Sequence, residues 1–385
     1  SAGASYIEHI PAADIARQIS AGRLVPCGDF DALQECDAIL ICVPTPLTEA
    51  RDPDLSYVVS TTRQVARALR PGMLVVLEST TYPGTTDDVV RPILEETGLR
   101  SGKDFYLAFS PEREDPGNPS FTTVTIPKVV GGCGRDAADV AECLYAQAMS
   151  KVVRVSNAAT AEATKITENV FRAVNIALVN ELKVVYERMG IDIWEVLDAA
   201  ATKPFGFMRF NPGPGWGGHC IPLDPFYLSW KAREYDVDTK FIELAGEVNR
   251  AMSEYVVSRL QRALNDRGRA VNGSAVLLLG LAYKKNVGDT RESPAFPIAK
   301  QLLALGARLS YHDPYLKESP ETRAWTGRPA LQSVPLTPEQ LGRHDAVVIV
   351  TDHSNVDYTA VLKHSRLIVD SRGVYREPHD NVVRA

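Results

Sequence analysis

Apolar and β-branched residues recur in short, nearly continuous runs over the first and last parts of the chain. These runs alternate with amphipathic stretches, a pattern that predicts buried parallel strands alternating with helices. Both ends of the chain are therefore expected to form α/β domains. The predicted strands are 38–43, 73–77, 105–109, 128–130 and 152–155 near the start, and 275–281, 308–311, 346–351 and 367–369 near the end.

The middle of the chain lacks such strands. Apolar residues recur at helical spacing from Ile166 to Val185, and Gly190 then predicts the end of one long helix. A second helix is expected to start near Asp192. The apolar stripe of the long helix predicts a homodimer or higher oligomer formed through it. The expected domains are 1–157, 158–267 and 268–385.

Composition narrows the class of protein. The 385 residues are 45% hydrophobic and 23% charged, without an apolar run long enough to span a bilayer, which predicts a soluble protein of two or three domains. The six cysteines lack the spacing of a disulfide framework or a zinc site, and no signal-peptide pattern is present, which favours a reducing cytoplasm and no metal. A formal net charge of -6 argues against nucleic acid as a partner.

Hydroxyl-rich loops follow the first two predicted strands, at the sheet edge where α/β proteins bind ligands. The first loop contains Val43, Pro44 and Thr45, and the second contains Thr80. Threonines at such positions also cap helices and turns, so each taken alone is ambiguous. The third strand leads to Glu112, whose carboxylate could act as a base or lie in a solvated turn.

A glycine fingerprint is missing. Dinucleotide-binding domains open with a strand, a G-x-G-x-x-G turn and a helix, and no such segment precedes the first predicted strand. Because the opening strand lies in the middle of a doubly wound sheet, its absence would leave unpaired backbone beside it. We therefore expect the native protein to have a further N-terminal segment that completes this sheet.

Segment 211–224 places one thiol in a loop dense in glycine and proline. Glycine lets the backbone approach a ligand, and proline restricts the loop, so Cys220 has a defined position, with Asp224 four residues later. This is typical of a presented nucleophile, although a packing cysteine is the common alternative. Lys165 and Asn169 lie four residues apart and so share one face of the long helix. They could belong to a functional site, or Lys165 could be part of a ladder of solvated salt bridges on the helix surface.

Basic residues follow strands in the last part of the chain. Lys284 and Arg291 lie in a strand-to-helix connection, which suits a diphosphate because cations and helix N-termini both attract anions. Arg372 follows the final predicted strand at the same edge. Solvation at the surface is the alternative for each.

Taken together, four motifs resemble the UDP-sugar 6-dehydrogenase family: 78–80, 164–169, 213–224 and 289–294. The resemblance covers essentially the whole chain from Tyr6. Segments 5–11, 202–207 and 370–376 make it most similar to the UDP-N-acetylglucosamine 6-dehydrogenase branch. It implies an α/β fold with two Rossmann-like doubly wound domains joined by a central helical domain, NAD as cofactor and a UDP-sugar as substrate.

The resemblance also implies roles for individual residues. Cys220 would be the nucleophile in a four-electron oxidation of the sugar C6 alcohol, through a thiohemiacetal and a thioester. Lys165 and Asn169 would stabilise the oxyanion at C6. Protons and water would be handled by Asp224, Glu112 and Thr80. Contacts to NAD would come from Val43, Pro44, Thr45, Thr80 and Arg291, and contacts to the UDP-sugar from Glu112, Lys165, Asn169, Lys203, Gly213, Gly215, Gly217, Lys284 and Arg372.

Two positions depart from the UDP-glucose branch. Pro116 stands where that branch has a second glutamate, and Pro204, beside Lys203, replaces an arginine that reaches in from a neighbouring subunit. These changes favour a 2-acetamido sugar, most simply UDP-N-acetylglucosamine, with UDP-glucose and UDP-N-acetylmannosamine as alternatives. A UDP-sugar-binding remnant without activity is a further alternative. The presence of Cys220, Lys165, Asn169 and Asp224 together argues for an enzyme, because a remnant has no physical need for all four. The missing glycine segment predicts weak or no NAD binding by this chain alone.

Overall fold

The computed structural model describes residues 5, 10–48, 52–114, 120–218, 220–323, 325–328 and 330–385. The chain forms two compact units. The first comprises Ser1–Glu168 and Trp230–Val237, and the second comprises Asn169–Ser229 and Asp238–Ala385. This division falls within the long helix, so the three domain boundaries expected from the sequence stay predictions.

The first unit is built on a five-stranded sheet in the order β1-β2-β3-β4-β5. All residues of β2 are buried, as expected for a strand covered on both faces. The strands are β1 (Ala38–Ile41), β2 (Leu74–Leu77), β3 (Tyr106–Phe109), β4 (Lys128–Gly132) and β5 (Val152–Arg154). The helices are α1 (Ala12–Ser20), α2 (Ser56–Ala68), α3 (Arg91–Glu95) and α4 (Arg135–Tyr145), with a 3-10 turn at Phe30–Glu35 and a π-helical turn at Thr86–Val90.

One strand pair of this sheet differs from the parallel arrangement that the sequence predicts. Strands β1, β2 and β3 are parallel, but β4 runs antiparallel to β3, with Ala108 opposite Gly132. Strand β5 then pairs in parallel with β4. A parallel pair needs a crossover, usually a helix. The described residues between these strands, 110–114 and 120–127, contain no helix, so the chain returns in the opposite direction.

Helix α5 (Ala158–Arg188) is the long helix that the apolar spacing predicts, and it passes from the first unit into the second. Gly190 follows it with φ of +72°, a conformation that suits glycine. Asp192 then caps α6 (Ile193–Ala200) by accepting the Trp194 N–H. The sequence pattern did not resolve α7 (Asp224–Ala232), the 3-10 turn Arg233–Tyr235 or α8 (Lys240–Asn265).

The second unit contains an entirely parallel sheet in the order β10-β9-β8-β6-β7, which confirms the predicted α/β end. The central strands of this sheet consist of buried apolar residues, such as Leu277, Leu278 and Val348. The strands are β6 (Ala275–Leu279), β7 (Arg308–His312), β8 (Ala346–Ile349), β9 (Ile368–Asp370) and β10 (Val382–Arg384), of which β10 was not predicted. The helices are α9 (Ala295–Ala304), α10 (Pro338–Arg343) and α11 (Tyr358–His364).

Within the ranges that the structure describes, no helix combines the length and the apolar character that crossing a bilayer requires. In the same ranges, His, Cys, Asp and Glu side chains form no group of three or more that could hold a metal ion.

Candidate active site

Cys220 lies just before helix α7, where the glycine-rich loop ends. Its backbone carbonyl accepts hydrogen bonds from the N–H groups of Leu223 at 3.2 Å and Asp224 at 2.8 Å. Cys220 is partly buried. The turn that leads into α7 therefore fixes the backbone of Cys220.

The glycines of this loop allow close packing within the second unit. Gly218 has φ of +88°, and its N–H donates to the Arg291 carbonyl at 2.9 Å. A Cβ atom at Gly217 would lie 2.7 Å from the Cβ of Tyr283, which is too close for a side chain. The fold therefore requires glycine here, and the predicted substrate contacts of Gly215 and Gly217 stay predictions.

Two buried asparagines hold the beginning of the loop. The Asn180 Oδ1 accepts the N–H of Gly213 at 2.9 Å, and its Nδ2 donates to the Asn249 Oδ1 at 2.8 Å. Asn180 is fully buried on α5, and Asn249 is 1% exposed on α8. Sequence reasoning missed both residues. The available signal was an asparagine on the apolar stripe of a long helix, which needs a polar partner when buried.

Asn169 and Asp224 are brought together in the second unit. The Asn169 Nδ2 donates to the Asp224 Oδ2 at 2.6 Å, and the two residues are 1% and 2% exposed. Arg172, which the sequence reading did not select, donates to the Asn169 Oδ1. The two bonds fix the orientation of the amide. Asp224 follows Cys220 by one turn, so a carboxylate, an amide and a thiol belong to the same local structure.

Lys165 and Glu112 are brought together in the first unit. Lys165 is 4% exposed, and its Nζ donates to the Glu112 backbone carbonyl at 2.5 Å and lies 3.9 Å from its Oε2. The neighbouring Arg113 pairs with Glu168 at 2.5 Å, which joins the segment after β3 to α5. A nearly buried ammonium group with these acceptors is well placed to stabilise developing negative charge.

Glu162, one turn before Lys165, fastens the loop that follows β2. Its carboxylate is fully buried and accepts hydrogen bonds from the Gly84 N–H at 2.5 Å, the Thr86 N–H at 2.9 Å and the Thr86 Oγ1 at 2.6 Å. Burial raises the pKa of Glu162 to about 7, although these donors oppose the shift. Sequence reasoning missed Glu162, because an isolated glutamate on a helix usually lies at the surface.

A cavity of about 450 Å³ opens at the carboxyl end of the second sheet. One acidic residue, Asp352, and five basic residues line it: Arg209, Lys284, Lys285, Arg372 and Arg376. The Arg372 Nε donates to the Val350 carbonyl at 2.6 Å. A Cβ atom at Gly213 would lie 2.7 Å from the Arg372 Nη1, so glycine leaves room for the guanidinium group. Three residues expected to bind substrate, Gly213, Lys284 and Arg372, therefore meet in one region.

Two other predicted residues lie elsewhere. The Lys203 Nζ is 5.0 Å from the centroid of the Phe205 ring, and Lys203 is not among the residues that line the cavity. Arg291 makes a bidentate ion pair with Asp289, at 2.9 Å and 2.6 Å to its Oδ2, and this hydrogen bonding raises its pKa. The structure places Arg291 beside the Cys220 loop, and its contact with NAD stays a prediction.

Three family models match in sequence, and together they cover most of the chain. They are the NAD binding domain (residues 1–149), the central domain (159–251) and the UDP binding domain (277–377) of the UDP-glucose/GDP-mannose dehydrogenase family. The chain belongs to this family. It is thus an NAD-dependent UDP-sugar dehydrogenase, and the predicted family and enzyme class are confirmed.

Similar proteins include several that act on N-acetylated sugars. The UDP-N-acetyl-D-glucosamine 6-dehydrogenase of Pseudomonas aeruginosa is 35% identical over 89% of this chain and 79% of its own length. The UDP-N-acetyl-D-mannosamine dehydrogenase of Pyrococcus horikoshii is 35% identical over 97% of this chain and 87% of its own length. A solved structure of UDP-D-ManNAc dehydrogenase from that organism has a TM-score of 0.87 at 32% identity, covering 99% of this chain and 88% of the other.

A UDP-glucose dehydrogenase structure is also similar. The enzyme from Pyrobaculum islandicum has a TM-score of 0.84 at 28% identity, over 100% of this chain and 87% of its own. Because proteins with different sugar substrates resemble this dehydrogenase to a similar degree, overall similarity leaves the sugar unassigned.

Residues that the sequence predicts to contact NAD follow the first two strands of the first sheet. The Ser79 Oγ accepts the Val43 N–H at 2.8 Å, so the loops after β1 and β2 are held together. Thr45 is 4% exposed and Thr80 is partly buried beside them. Val43, Thr45 and Thr80 therefore lie at one edge of the sheet, and their contacts with NAD stay predictions. For the pyrophosphate, residues 1–157 contain no G-x-G-x-x-G turn, and the only run with this spacing, Gly213 to Gly218, belongs to the Cys220 loop.

Lys183 provides a pH-dependent test of this dehydrogenase. It is 4% exposed, its Nζ donates to the Ser371 carbonyl at 3.3 Å, and burial lowers its pKa from 10.5 to about 7. Between these values the unfolded chain binds a proton that the folded protein does not, so this residue makes stability rise with pH. The free energy of unfolding of wild type relative to Lys183→Met should increase by about 1.4 kcal/mol per pH unit there. Chemical denaturation of both proteins from pH 6 to pH 10 measures this difference. A difference that does not change with pH would contradict the lowered pKa of Lys183.

Proposed function

We propose that this protein oxidises the C6 alcohol of a UDP-linked 2-acetamido sugar to a carboxylate in two NAD-dependent steps, with UDP-N-acetylglucosamine as the expected substrate. One observation carries the proposal. The loop that presents Cys220 beside Asp224 also lines the cationic cavity through Asn211 and Pro212. A nucleophile and a site suited to a diphosphate therefore share one loop.

The first oxidation removes a proton from O6 and a hydride from C6 to give the aldehyde. NAD, when bound, accepts the hydride. The Lys165 ammonium group stabilises the alkoxide that precedes hydride loss, and its low exposure makes that charge effective. Glu112 and Thr80 would direct water and protons at this stage.

The second oxidation proceeds through a covalent bond to Cys220. The thiolate adds to the aldehyde carbon, and the carbonyl oxygen becomes an oxyanion, which the Asn169 amide helps to stabilise. Loss of a second hydride from this thiohemiacetal, which a second NAD would accept when bound, gives a thioester. Water then attacks the thioester carbon, and the products are the uronic acid and the regenerated thiol. Asp224, whose Oδ2 accepts the Asn169 amide at 2.6 Å, would accept a proton from that water.

The preference for an acetamido sugar is tested by comparing substrates. We expect kcat/KM for the better of UDP-N-acetylglucosamine and UDP-N-acetylmannosamine to exceed that for UDP-glucose by about tenfold to a few hundredfold, because the acetamido group adds a methyl contact and a carbonyl acceptor. Similar dehydrogenases named for N-acetylated sugars support this expectation. Lys203 and Phe205 lie outside the cavity lining, so these residues lend it no structural support.

The assay requires the full-length protein with all three substrates side by side. A preference for the manno epimer would keep the acetamido assignment and change only the stereochemistry. Equal or better use of UDP-glucose would contradict the proposed substrate class, without affecting the family assignment.

We also propose that a second copy of the chain covers an apolar groove of the second unit. The groove, of about 290 Å³, lies between α5 and α8 and includes Leu178, Phe241 and Leu244, which are 51%, 77% and 52% exposed. Exposed apolar patches of this kind mark interaction surfaces. Phe241→Glu should shift the protein from dimer or higher oligomer to monomer in light scattering. Leu305→Glu, an exposed position outside the groove, should not, and an unchanged oligomer in Phe241→Glu would contradict the assigned surface.

A further inference from the structure

A buried aspartate and histidine follow the two strands, β7 and β8, that pair with β6 on either side in the second sheet. Asp313 follows β7 and is 3% exposed, and His353 follows β8 and is fully buried. The His353 Nε2 and the Asp313 Oδ2 are 3.2 Å apart. Asp313 also accepts backbone N–H groups of Leu281 at 2.8 Å, Ala282 at 3.1 Å and Tyr315 at 2.9 Å. The proposed reaction uses neither residue.

The second ring nitrogen of His353 holds the loop that follows β6. The backbone N–H of Asn286 donates to the His353 Nδ1 at 3.0 Å. Since Nδ1 accepts this bond, the proton of the neutral ring is on Nε2, which donates to Asp313. His353 therefore connects a fixed carboxylate on one side to a loop on the other. Both contacts lie within the second unit.

Asn286 is held in an unusual conformation by three hydrogen bonds. Its φ is +62°, in the left-handed region that asparagine tolerates. Besides the backbone bond to His353, its Oδ1 accepts the Ser354 N–H at 2.8 Å, and its Nδ2 donates to the Ser354 Oγ at 3.0 Å. These contacts fasten the loop after β6 to the loop after β8.

The fastened loop carries two of the five basic residues that line the cavity. Lys284 and Lys285 immediately precede Asn286, and both line the cavity that contains Arg372. The Lys285 Nζ lies 3.4 Å from the Asp352 Oδ2, directly before His353. The position of this lysine pair thus depends on the contact between the two loops.

We propose that His353 is a positioning residue that holds Lys284 and Lys285 in place to bind the diphosphate of a UDP-sugar. The inference rests on the proposed use of the cavity as the nucleotide site. The acceptor nitrogen facing Asn286 performs this task, while the bond to Asp313 sets the tautomer and orientation of the ring.

Two substitutions separate the roles of the two ring nitrogens. In His353→Asn the side-chain oxygen can take the place of Nδ1 and accept the Asn286 N–H, but nothing reaches Asp313. In His353→Gln the longer amide can take the place of Nε2 and donate to Asp313, but the Asn286 N–H loses its acceptor. Each variant loses one buried hydrogen bond, so a merely structural role would lower the melting temperature and the affinity of both to a similar extent.

The experiment measures binding of UDP-N-acetylglucosamine by calorimetry, with melting temperatures recorded in parallel. We expect affinity to fall about tenfold in His353→Gln and by no more than about twofold in His353→Asn, since the loss of one hydrogen bond that fixes the loop corresponds to a factor of this size. Equal affinities in the two variants, or a larger loss in His353→Asn, would overturn the inference.

Two further variants keep the outcomes distinct. Arg372→Ala tests the cavity itself: wild-type affinity in this variant would overturn the nucleotide assignment, and the role of His353 with it. A loss of affinity in Arg372→Ala without one in His353→Gln overturns only the positioning role.

Asn286→Gly is the variant to use if His353→Gln does not fold. Glycine tolerates the positive φ but cannot bind Ser354, so this substitution loosens the same loop. It should weaken binding about threefold to tenfold, and unchanged affinity would count against the inference.

Discussion

Cys220→Ser is expected to stop carboxylate formation, with a fall in turnover on the order of a thousandfold or more, because only binding and oxyanion stabilisation remain once a covalent nucleophile is removed. An alkoxide is harder to generate than a thiolate near neutral pH, and an ester is hydrolysed more slowly than a thioester. The measurement is NADH production with UDP-N-acetylglucosamine, together with mass spectrometry of the variant for a sugar ester on the introduced serine.

Cys143→Ser is the matched control. Cys143 is an exposed cysteine on α4, so its replacement should leave turnover within about twofold of wild type. If Cys220→Ser retained wild-type turnover, covalent catalysis by Cys220 would be wrong.

Lys165→Met is expected to lower kcat/KM by about a hundredfold to a thousandfold, the usual effect of removing one group that stabilises an oxyanion. Methionine keeps most of the volume and removes the charge. The variant also leaves the Glu112 carbonyl without its donor at 2.5 Å, which should lower the free energy of unfolding by about 1 to 3 kcal/mol. Steady-state kinetics and chemical denaturation measure the two effects separately.

Thr167→Ala provides a control on the same helix. Thr167 is exposed and donates only to the Ala163 carbonyl of its own helix, so activity should stay within about twofold. A Lys165→Met variant as active as this control would show that the buried ammonium group serves the fold rather than the reaction.

Elements with strong periodicity could be predicted from the sequence. The buried strands of both sheets and the long helix α5 are encoded in continuous apolar runs and in helical spacing, which are local signals. The antiparallel pairing of β4 with β3 was not predictable in this way. The direction of a strand depends on the segment that connects it to the preceding strand, and not on the residues of the strand itself. Strand β10 lies at the sheet edge, and its residues are only partly buried, so its pattern did not stand out.

Site residues divide along a similar line. Cys220, Lys165, Asn169 and Asp224 could be selected because their motifs bring unusual chemistry close together in the chain. Partners far apart in sequence were missed: Asn180 and Asn249 are 69 residues apart, and Asp313 and His353 are 40 apart. A polar residue within an apolar stripe indicates that it needs a partner, but the sequence does not show which residue of another element supplies it.

The central claim is a four-electron oxidation at one site, and the ratio of NADH formed to UDP-N-acetylglucosamine consumed tests it most directly. With a limiting amount of sugar and full-length protein, we predict two NADH per sugar and a uronic acid as the only sugar product. One NADH per sugar, with an aldehyde released, would contradict the account.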